Sequence, residues 1–433
     1  MSPKISSKHR TPLYFLCLLG VLTFALCAGS ASAQDKYEKP PQEVLDVLNA
    51  PLPPALVLSP KRDMVVLAQP MIYPAIADLA EPMLRLAGLR FNPRNNAARG
   101  YIFYYTSLTL KRISDGVETP LALPAGVRRI GRPLWNADGT MFAFTNETPD
   151  RVELWVVDVA TRAVKPLPGL RINPILFSAV QWMPDQRTLL VKLIPDDRSA
   201  PPQAPSVPPG PKIRESSGVA AASSTYEVRD VLKSPYDEDL FDYYTRSQIA
   251  LVRLPLGEVI RIGKPDIFGG VSPAPGGKYL LVERIHRPYS YLCSFYRFPT
   301  EVDIVTAAGE PVEKIASLPL FDQVPIEGVP TGPRNYRWRP TEPATLSWAE
   351  ALDGGNPKTK VPHRDRVMMK PVGAPAVELI RTEERFENIQ WIEKGGLALV
   401  SDFDPDRRWT RTFVLDTGNP ALKPRLLWSM SVD

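Results

Sequence analysis

One short segment of the chain concentrates side chains that bind carboxylates and peptides. It contains His286, Arg287, Tyr289 and Tyr291, with Pro288 inside the run. A guanidinium can bind a carboxylate through two parallel hydrogen bonds, and tyrosine is frequent at binding hot spots. The same residue types are common in solvated loops, where a proline restricts the backbone. The sequence therefore leaves two interpretations open: a rigid surface loop, or a cluster directed at an acidic or peptide ligand.

The sequence does not contain a recognisable serine-hydrolase centre. Such a centre needs a nucleophile on a tight turn, most recognisably G-x-S-x-G, together with a histidine base and a carboxylate. The nearest stretch runs from Gly270 to Ala274 and has alanine where the closing glycine belongs. The other histidine beyond residue 33, apart from His286, is His363 in a charged segment, where we expect a solvated side chain. We therefore predict no catalytic residues in this chain.

Neither a metal nor a nucleotide cofactor is indicated by the residues. Beyond the first 33 residues one cysteine remains, Cys293, and histidines do not cluster, so a zinc site is unsupported. The acidic run over 237–244 lacks the glycine and the ligand spacing of a calcium loop. We prefer an amphipathic insertion for this run and keep calcium as the alternative. Walker and dinucleotide-binding motifs are absent from the sequence, so we expect no cofactor.

The charge pattern argues against a nucleic-acid partner. The formal net charge is +5, from 52 basic and 47 acidic residues. Three of the positive charges, on Lys4, Lys8 and Arg10, lie at the amino terminus, and the other basic residues are interspersed with acidic ones. Binding to nucleic acid normally leaves a basic patch or stripe in the sequence, and this chain has none.

The first 33 residues have the pattern of a secretory signal peptide. Basic residues precede an apolar stretch over 13–27, and Ala31-Ser32-Ala33 then forms an A-x-A cleavage signal. The apolar stretch is shorter than the ~20 residues that span a bilayer. We predict cleavage before Gln34, a periplasmic or secreted location, and no membrane span in the mature chain. An uncleaved membrane anchor is the alternative.

A repeated unit runs through the rest of the chain. It comprises an apolar or aromatic start, a turn rich in Pro, Asp or Gly, and a short strand of Val, Leu, Phe and Ala. Six copies are visible, with these strands at 64–67, 141–144, 189–191, 279–282, 345–348 and 397–400. Several are followed by a second apolar run, such as 153–158, and by a short outer run, such as 163–167. This pattern is typical of the four-stranded blade of a β-propeller.

We therefore predict an all-β fold, a β-propeller of about six four-stranded blades over 55–433. The recurring tryptophans are expected to pack between neighbouring blades without binding a ligand, and they are Trp135, Trp182, Trp338 and Trp391. Short helices are expected at 41–49, within an amino-terminal segment 34–54 that packs on the propeller, and at 75–86. A Pro-, Ala- and Ser-rich insertion over 196–226 in the third blade is expected to be mobile.

Five strings occur in a fixed order along the chain: PPQEV at 40–44, LAGLR at 86–90, DLFDYY at 239–244, HRPYSY at 286–291 and SWAE at 347–350. Each string alone is weakly specific, but the set covers the whole chain beyond the leader. Together they make the chain resemble the propeller portion of glutamyl endopeptidases, which belong to the prolyl oligopeptidase family of serine peptidases.

The resemblance implies a propeller that usually has seven blades and precedes an α/β-hydrolase domain carrying the Ser, Asp and His. It further implies a parent enzyme that cleaves peptides after Glu or other acidic residues, with the propeller capping the active site. Arg287 is then the expected contact to an acidic group, and Tyr289, Tyr291 and His286 line the same mouth. Because the chain ends at Asp433 without a hydrolase domain, we expect that domain to be missing or separately encoded, and this chain alone to be inactive.

Two hypotheses of different classes follow. The leading one is the substrate-gating propeller of an exported serine peptidase, with a peptide as substrate and an α/β-hydrolase domain as partner. The alternative is an autonomous periplasmic propeller that binds peptides or proteins, similar to the Tol-associated binding modules. The presence of an accompanying hydrolase domain distinguishes the two hypotheses.

Overall fold

The structure is a computed structural model that describes residues 39–100, 102–206, 229–323, 325–393, 396–419 and 422–433. The leader and most of the proline-rich insertion lie outside these ranges, so the predicted signal cleavage and the predicted mobility of the insertion stay predictions. The chain divides into two compact units, Met1–Pro51 and Leu52–Asp433. Among the described residues, no helix has the length and apolar character needed to cross a bilayer.

The described part of the first unit contains one helix, α1 (Gln42–Leu48), which begins directly after Pro41. Proline suits the start of a helix because its missing N–H would have no partner there. Glu43 lies in the first turn, where a negative charge complements the helix dipole. The helix predicted over 41–49 is therefore confirmed, and its packing on the propeller stays a prediction.

The second unit contains six four-stranded antiparallel sheets, which are the blades. Blade 1 contains β1, β2, β5 and β6 at Ala55–Leu58, Met64–Pro70, Tyr105–Arg112 and Glu118–Pro120. Its second and third strands are separated by α2 (Ile76–Leu79) and a hairpin of β3 (Leu84–Leu86) and β4 (Leu89–Phe91). Blade 2 contains β7 to β10 at Leu134–Trp135, Met141–Glu147, Val152–Asp158 and Val164–Pro166.

The next four blades repeat this arrangement. Blade 3 contains β11 to β14 at Val180–Trp182, Thr188–Leu193, Ser247–Arg253 and Glu258–Asp266, with α3 (Pro235–Thr245) between β12 and β13. Blade 4 contains β15 to β18 at Phe268–Pro273, Tyr279–Ile285, Thr300–Thr306 and Pro311–Leu318, with a 3₁₀ turn at Phe295–Arg297. Blade 5 contains β19 to β22 at Arg334–Trp338, Thr345–Ala351, Asp365–Pro371 and Val377–Thr382. Blade 6 contains β23 to β26 at Arg385–Trp391, Leu397–Asp404, Trp409–Asp416 and Arg425–Ser431.

This topology confirms the predicted β-propeller of four-stranded blades. Each of the six repeated strands identified in the sequence forms the second strand of one blade. The connection into it is a tight turn, as at Asn136–Gly139, where Gly139 has φ +69° and its N–H donates to the Asn136 carbonyl at 3.1 Å. The described residues contain no α/β-hydrolase fold. Each pair of hydrogen-bonded strands among them is antiparallel, whether it lies in a blade or in the hairpin.

The helix predicted over 75–86 is wrong beyond its first turn. Helical geometry is confined to α2, and Leu84–Leu86 forms strand β3. Pro82 accounts for the difference, because a proline disfavours helical geometry in the residue before it and removes a backbone donor. The apolar spacing in this segment therefore marks a hairpin and not a second helical turn.

The recurring tryptophans lie between neighbouring blades, as predicted. Three indole N–H groups donate to a first-strand carbonyl of the preceding blade: Trp135 to Val57 at 3.0 Å, Trp182 to Leu134 at 2.8 Å and Trp338 to Ser272 at 3.2 Å. Trp391 occupies this position in blade 6, but among the described residues its buried indole N–H has no acceptor. The guanidinium of Arg339 in blade 5 instead lies over its ring, 4.7 Å from the centroid.

Apolar cores join each blade to the next. One cluster of buried side chains spans each consecutive pair of blades, as shown by Val66 with Phe142, Leu154 with Leu189, Leu190 with Leu280, Leu281 with Leu346, and Val367 with Ile389. A blade therefore buries its apolar faces only against its neighbours, as expected for a propeller of separate sheets.

Blades 5 and 6 are also joined by buried ion pairs. The side chain of Asp365 is fully buried and accepts hydrogen bonds from Arg334 at 2.6 Å and from Arg385 at 2.9 Å. The backbone N–H of Phe386 donates to the same carboxylate at 2.7 Å. Arg385 also pairs with Asp353, whose side chain is equally buried. Because Arg385 begins blade 6 and both carboxylates belong to blade 5, the pairs fix the two blades to one another.

We expect Asp365→Ala to lower the free energy of unfolding by about 3–5 kcal/mol, because it leaves the largely buried guanidinium of Arg334 without a carboxylate and removes one of the two carboxylate partners of Arg385. Urea unfolding followed by tryptophan fluorescence measures the change. The control is Arg381→Ala in the same blade, which removes an exposed i,i+3 pair with Glu378 and is expected to change the stability far less, because solvent screens an exposed pair. Equal effects of the two substitutions would contradict a stabilising role for the buried pairs.

The tryptophans offer a matched pair of substitutions. Trp182→Phe and Trp391→Phe remove the same ring volume, but only the first removes an indole hydrogen bond to the preceding blade. We expect Trp182→Phe to lower the free energy of unfolding by about 1 kcal/mol more than Trp391→Phe does. Chemical denaturation of both variants provides the comparison. A larger loss for Trp391→Phe would show that the hydrogen bond does not decide the difference.

Candidate functional site

The long insertions of the propeller lie on one face. They join the second and third strands of blades 1, 3 and 4, and their described residues are 71–100 with 102–104, 194–206 with 229–246, and 286–299. In an antiparallel blade this connection lies at the same end as the connection from one blade to the next. The three insertions therefore extend from the same end of the blades, which we call the insertion face.

A shared apolar core holds the three insertions together. It includes Phe91 of blade 1, Phe241 of α3 and Phe298 of blade 4, all nearly inaccessible to solvent. The backbone N–H of Phe295 donates to the carbonyl of Ala87 at 3.0 Å. Gly88 has φ +85°, and a Cβ there would lie 2.8 Å from the Cβ of Ser294, so this position requires glycine. Three of the five strings that carry the family resemblance thus meet in one layer.

Helix α3 presents its acidic residues away from this core. Ser234 caps the helix by accepting a hydrogen bond from the N–H of Asp237 at 3.2 Å. Leu240, Phe241 and Tyr244 are buried, whereas the carboxylates lie on the opposite side. The amphipathic insertion predicted for 237–244 is therefore confirmed. Among the residues that the structure describes, no group of His, Cys, Asp and Glu side chains has the arrangement of a metal site.

Arg287 is bound by the acidic face of α3. Its guanidinium forms ion pairs of 2.8 Å with each of Glu238, Asp239 and Asp242. The hydroxyl of Tyr289 donates to the same Asp242, and this bond together with burial of the ring raises the pKa of Tyr289. An acidic ligand approaching Arg287 would meet three carboxylates that already neutralise it. This geometry favours the rigid-loop interpretation for Arg287.

Tyr291 and His286 are also engaged within the insertion face. The Tyr291 hydroxyl donates to Glu238 at 2.5 Å, and burial and this bond raise the pKa of Tyr291 to about 12. His286 has Nδ1 2.6 Å from the carbonyl oxygen of Arg287 and Nε2 3.6 Å from the Glu301 carboxylate. The contacts of all four predicted site residues are thus internal to the propeller, and a substrate-binding role for them stays a prediction.

One feature that the sequence did not reveal is a cavity of about 730 Å³ at the insertion face. Its walls come from three consecutive blades: Gln181 of β11, Gly270 of β15, Glu283 of β16 and Arg337 of β19. The side chain of Arg337 is exposed and forms no ion pair among the described residues. The sequence offered one signal for this site, the glycine pair at 269–270, which is unusual inside a strand.

Glu283 is partly buried in this cavity, and desolvation of its carboxyl raises the pKa of that group. Within the described part of the chain its side chain forms no ion pair or hydrogen bond. A Cβ at Gly270 would overlap Oε1 of Glu283, and one at Gly269 would lie 3.1 Å from the end of Ile285. The glycine pair therefore makes the room that this carboxylate occupies.

A buried lysine supports one wall of the cavity. Lys192 of β12 is 3% exposed, and its Nζ donates to the carbonyl oxygens of Leu176 and Phe268. These two residues precede Phe177 and Gly269, which line the cavity. Phe177 has φ +50°, a left-handed geometry that bulky residues rarely adopt. Burial without a carboxylate partner lowers the pKa of Lys192 to about 8.

The lowered pKa predicts a pH-dependent stability. The unfolded chain, with a lysine pKa of 10.5, binds the Lys192 proton more tightly than the folded chain, whose Lys192 pKa is about 8. The free energy of unfolding therefore rises as the pH increases between these values. We expect the wild type to gain roughly 2 kcal/mol relative to Lys192→Met between pH 7 and 9.5. Urea unfolding of both proteins at the two pH values measures this gain, and parallel pH curves would contradict it.

Comparison with known proteins defines the relationship of the chain. No protein-family model matches it. The proteins named probable glutamyl endopeptidase, chloroplastic, are 36% identical over 423 residues in Oryza sativa subsp. japonica and 36% identical over 413 residues in Arabidopsis thaliana. These alignments cover 93% and 91% of this chain but 44% and 42% of the relatives. The chain thus spans less than half the length of the curated relatives it matches.

Two solved structures resemble the propeller in outline. One is a prolyl endopeptidase, from a study of two such enzymes and their inter-domain dynamics. It is 13% identical to this chain with a TM-score of 0.46, and the alignment covers 98% of this chain and 49% of the other. The β-propeller domain of the trilobed protease from Pyrococcus furiosus has 12% identity and a TM-score of 0.41, covering 84% of each chain.

The architecture defines the class of this protein as a β-propeller, and the sequence relatives that it matches are named as glutamyl endopeptidases. Over 93% and 91% of its length the chain is thus homologous to these two proteins, and its described residues form a β-propeller. The resemblance stated from the five sequence strings is therefore confirmed.

Proposed function

We propose that this propeller selects and orients peptides for an exported serine peptidase that cleaves after Glu or other acidic residues. The observation that carries the proposal is the 36% identity, over 93% of the chain, to a relative named as a glutamyl endopeptidase. In this proposal the reacting Ser, Asp and His belong to an α/β-hydrolase domain that works with the propeller. The propeller itself contributes binding groups and excludes competing substrates.

In this proposal Arg337 is the cation that binds an acidic side chain of the substrate. It lines the cavity at the insertion face, is exposed, and is not neutralised by a described carboxylate. A free guanidinium can bind an incoming carboxylate through two parallel hydrogen bonds. Arg287 lies on the same face, but three carboxylates of α3 already occupy its donors. These contacts favour Arg337 over Arg287 as the residue that recognises an acidic side chain of the substrate.

An apolar surface on the insertion face supports the hydrolase domain as partner. The insertion of blade 1 exposes Ile76 and Leu79, which are 85% and 62% accessible. Leu79 and Phe103 also line a cavity of about 460 Å³ there. Soluble proteins rarely expose large contiguous apolar patches unless another surface covers them. We assign this surface to contact with the hydrolase domain.

Export is proposed from the amino-terminal sequence. Basic residues, an apolar stretch over 13–27 and an A-x-A signal precede residue 34. The names of the two plant relatives place those proteins in the chloroplast. A periplasmic or secreted location is our proposal for this chain.

A peptide-cleavage assay tests the function. The full chain is prepared alone and together with the α/β-hydrolase domain encoded in frame with it or beside it in the genome. Quenched fluorescent peptides differ only in having Glu, Gln or Lys at one position. The chain alone should neither cleave peptides nor react with a fluorophosphonate. The assembled enzyme should cleave after Glu with a kcat/KM at least about tenfold above that for Gln, because only Glu carries the charge that the site binds.

Two arginine variants locate the recognition site in the same assay. Arg337→Met is expected to lower the Glu-to-Gln ratio by about tenfold, because it removes the exposed cation. Arg287→Met should leave the ratio unchanged and lower the melting temperature, because it leaves three carboxylates unpaired. A genome without an accompanying hydrolase domain, or a serine labelled on the chain alone, would refute the proposed function. A lower Glu-to-Gln ratio of kcat/KM in Arg287→Met, together with an unchanged ratio in Arg337→Met, would refute our assignment of the site.

A further inference from the structure

Glu283 differs from the fully buried acidic side chains of this protein. Each of those in the described ranges forms an ion pair with arginine, and they are Asp78, Asp303, Asp353, Asp365 and Asp402. Glu283 is partly buried, yet it has no such partner among the described residues. A desolvated carboxylate without compensation destabilises the folded chain. Its place in an open cavity raises the question of what compensates it.

The backbone around Glu283 is shaped to admit the carboxylate. Strand β15 passes directly over it with Gly270, and a Cβ at that position would lie 3.1 Å from Cδ of Glu283. Replacing Gly270 by any other residue would force the carboxylate out of its position. A glycine inside a strand weakens the strand, so its use here indicates a site where another group must approach closely.

Aromatic side chains form the rim of the same cavity, which we define as Phe177, Phe295 and Tyr296. The rings of Phe295 and Tyr296 have centroids 4.3 Å apart, and Phe177 lies 5.4 Å from Phe295. Phe177 and Tyr296 are 57% and 64% exposed, although rings of this size are usually covered. The contact between Lys192 and the carbonyl of Leu176 holds the segment that places Phe177 at the rim.

These groups together favour a cationic ligand. A carboxylate of low solvation attracts a positive charge, and the faces of aromatic rings attract the same charge. A neutral polar ligand would leave the carboxylate uncompensated, and an anion would be repelled by it. The apolar rim also suits the methylene groups that precede the charge in a lysine or arginine side chain.

We propose that Glu283 and the aromatic rim bind a positively charged group of a peptide, which is a lysine or arginine side chain or a free amino terminus. The inference rests on the proposed function in taking the ligand to be a peptide. Arg337 lies exposed in the same cavity. The cavity therefore accepts peptides in which a basic group and an acidic residue lie close together.

The test measures peptide binding to the full chain without a hydrolase domain. Three fluorescently labelled peptides differ only at one position and at the amino terminus. The first is acetylated and has lysine at that position, the second is acetylated and has norleucine there, and the third has norleucine and a free amino terminus. Fluorescence anisotropy gives the Kd of each. We expect the lysine peptide, the free-amine peptide or both to bind at least about tenfold more tightly than the acetylated norleucine peptide. The two charged peptides show which source of positive charge the site takes.

Glu283→Gln keeps the shape of the side chain and removes its charge. It should bring the three Kd values to within about twofold of one another, because the ion pair with the peptide is lost. It should also raise the melting temperature at neutral pH, since an uncompensated carboxylate is removed, whereas a purely structural glutamate would give the opposite change. The control is Glu310→Gln, an exposed residue at the β17–β18 turn on the opposite face, which should leave all three values unchanged.

Two results would overturn the inference. One is equal affinity of the wild type for charged and neutral peptides, and the other is a preference for charge that survives Glu283→Gln in a folded variant. Circular dichroism establishes that the variant is folded. Because binding is measured on the propeller alone, either result is independent of the Glu-to-Gln cleavage ratio that tests the proposed function.

Discussion

The burial of each blade against its neighbours is the constraint on which the rest of this structure depends. A four-stranded sheet cannot cover its own apolar faces, and here five shared cores join the six blades in sequence order. In blades 2, 3 and 5 a tryptophan in the first strand adds a directional bond to this packing, because its indole N–H donates to the first strand of the preceding blade. Packing and hydrogen bonding thus fix the position of one first strand relative to the next.

That positioning allows residues from three blades to form a single cavity. Gln181, Gly270 and Arg337 lie on the first strands of blades 3, 4 and 5, far apart in sequence. The insertions then fix the rim, since the core around Phe241 and Phe298 holds the segments that carry it. The cavity is consequently formed by three adjacent blades together with the layer of insertions, and neither alone would form it.

The distribution of charge separates structural from functional groups. Asp365 and Arg287 both take part in multiple ion pairs, and in each case the partners belong to another segment that must be held in place. Glu283 and Arg337 lie in the open cavity without a described ion pair. Natural folds generally satisfy their buried charges internally, so charges left uncompensated in a cavity are the ones available to a ligand. The contrast accounts for why Arg287, the most conspicuous cation in the sequence, is bound within the fold.

The sequence by itself determined the blades, because the alternation of apolar strands with Pro-, Asp- and Gly-rich turns is a local signal repeated six times. It also indicated an amphipathic insertion over 237–244, which the structure shows to be part of helix α3, and it misplaced a helix beyond α2, where Pro82 lies in the chain. The tertiary structure alone decided that Arg287 meets Asp239, forty-eight residues earlier, and that Glu283 lies beneath Gly270 beside Arg337. Pairing of this kind depends on how blades and insertions pack across long separations, and no local pattern of residue types encodes it.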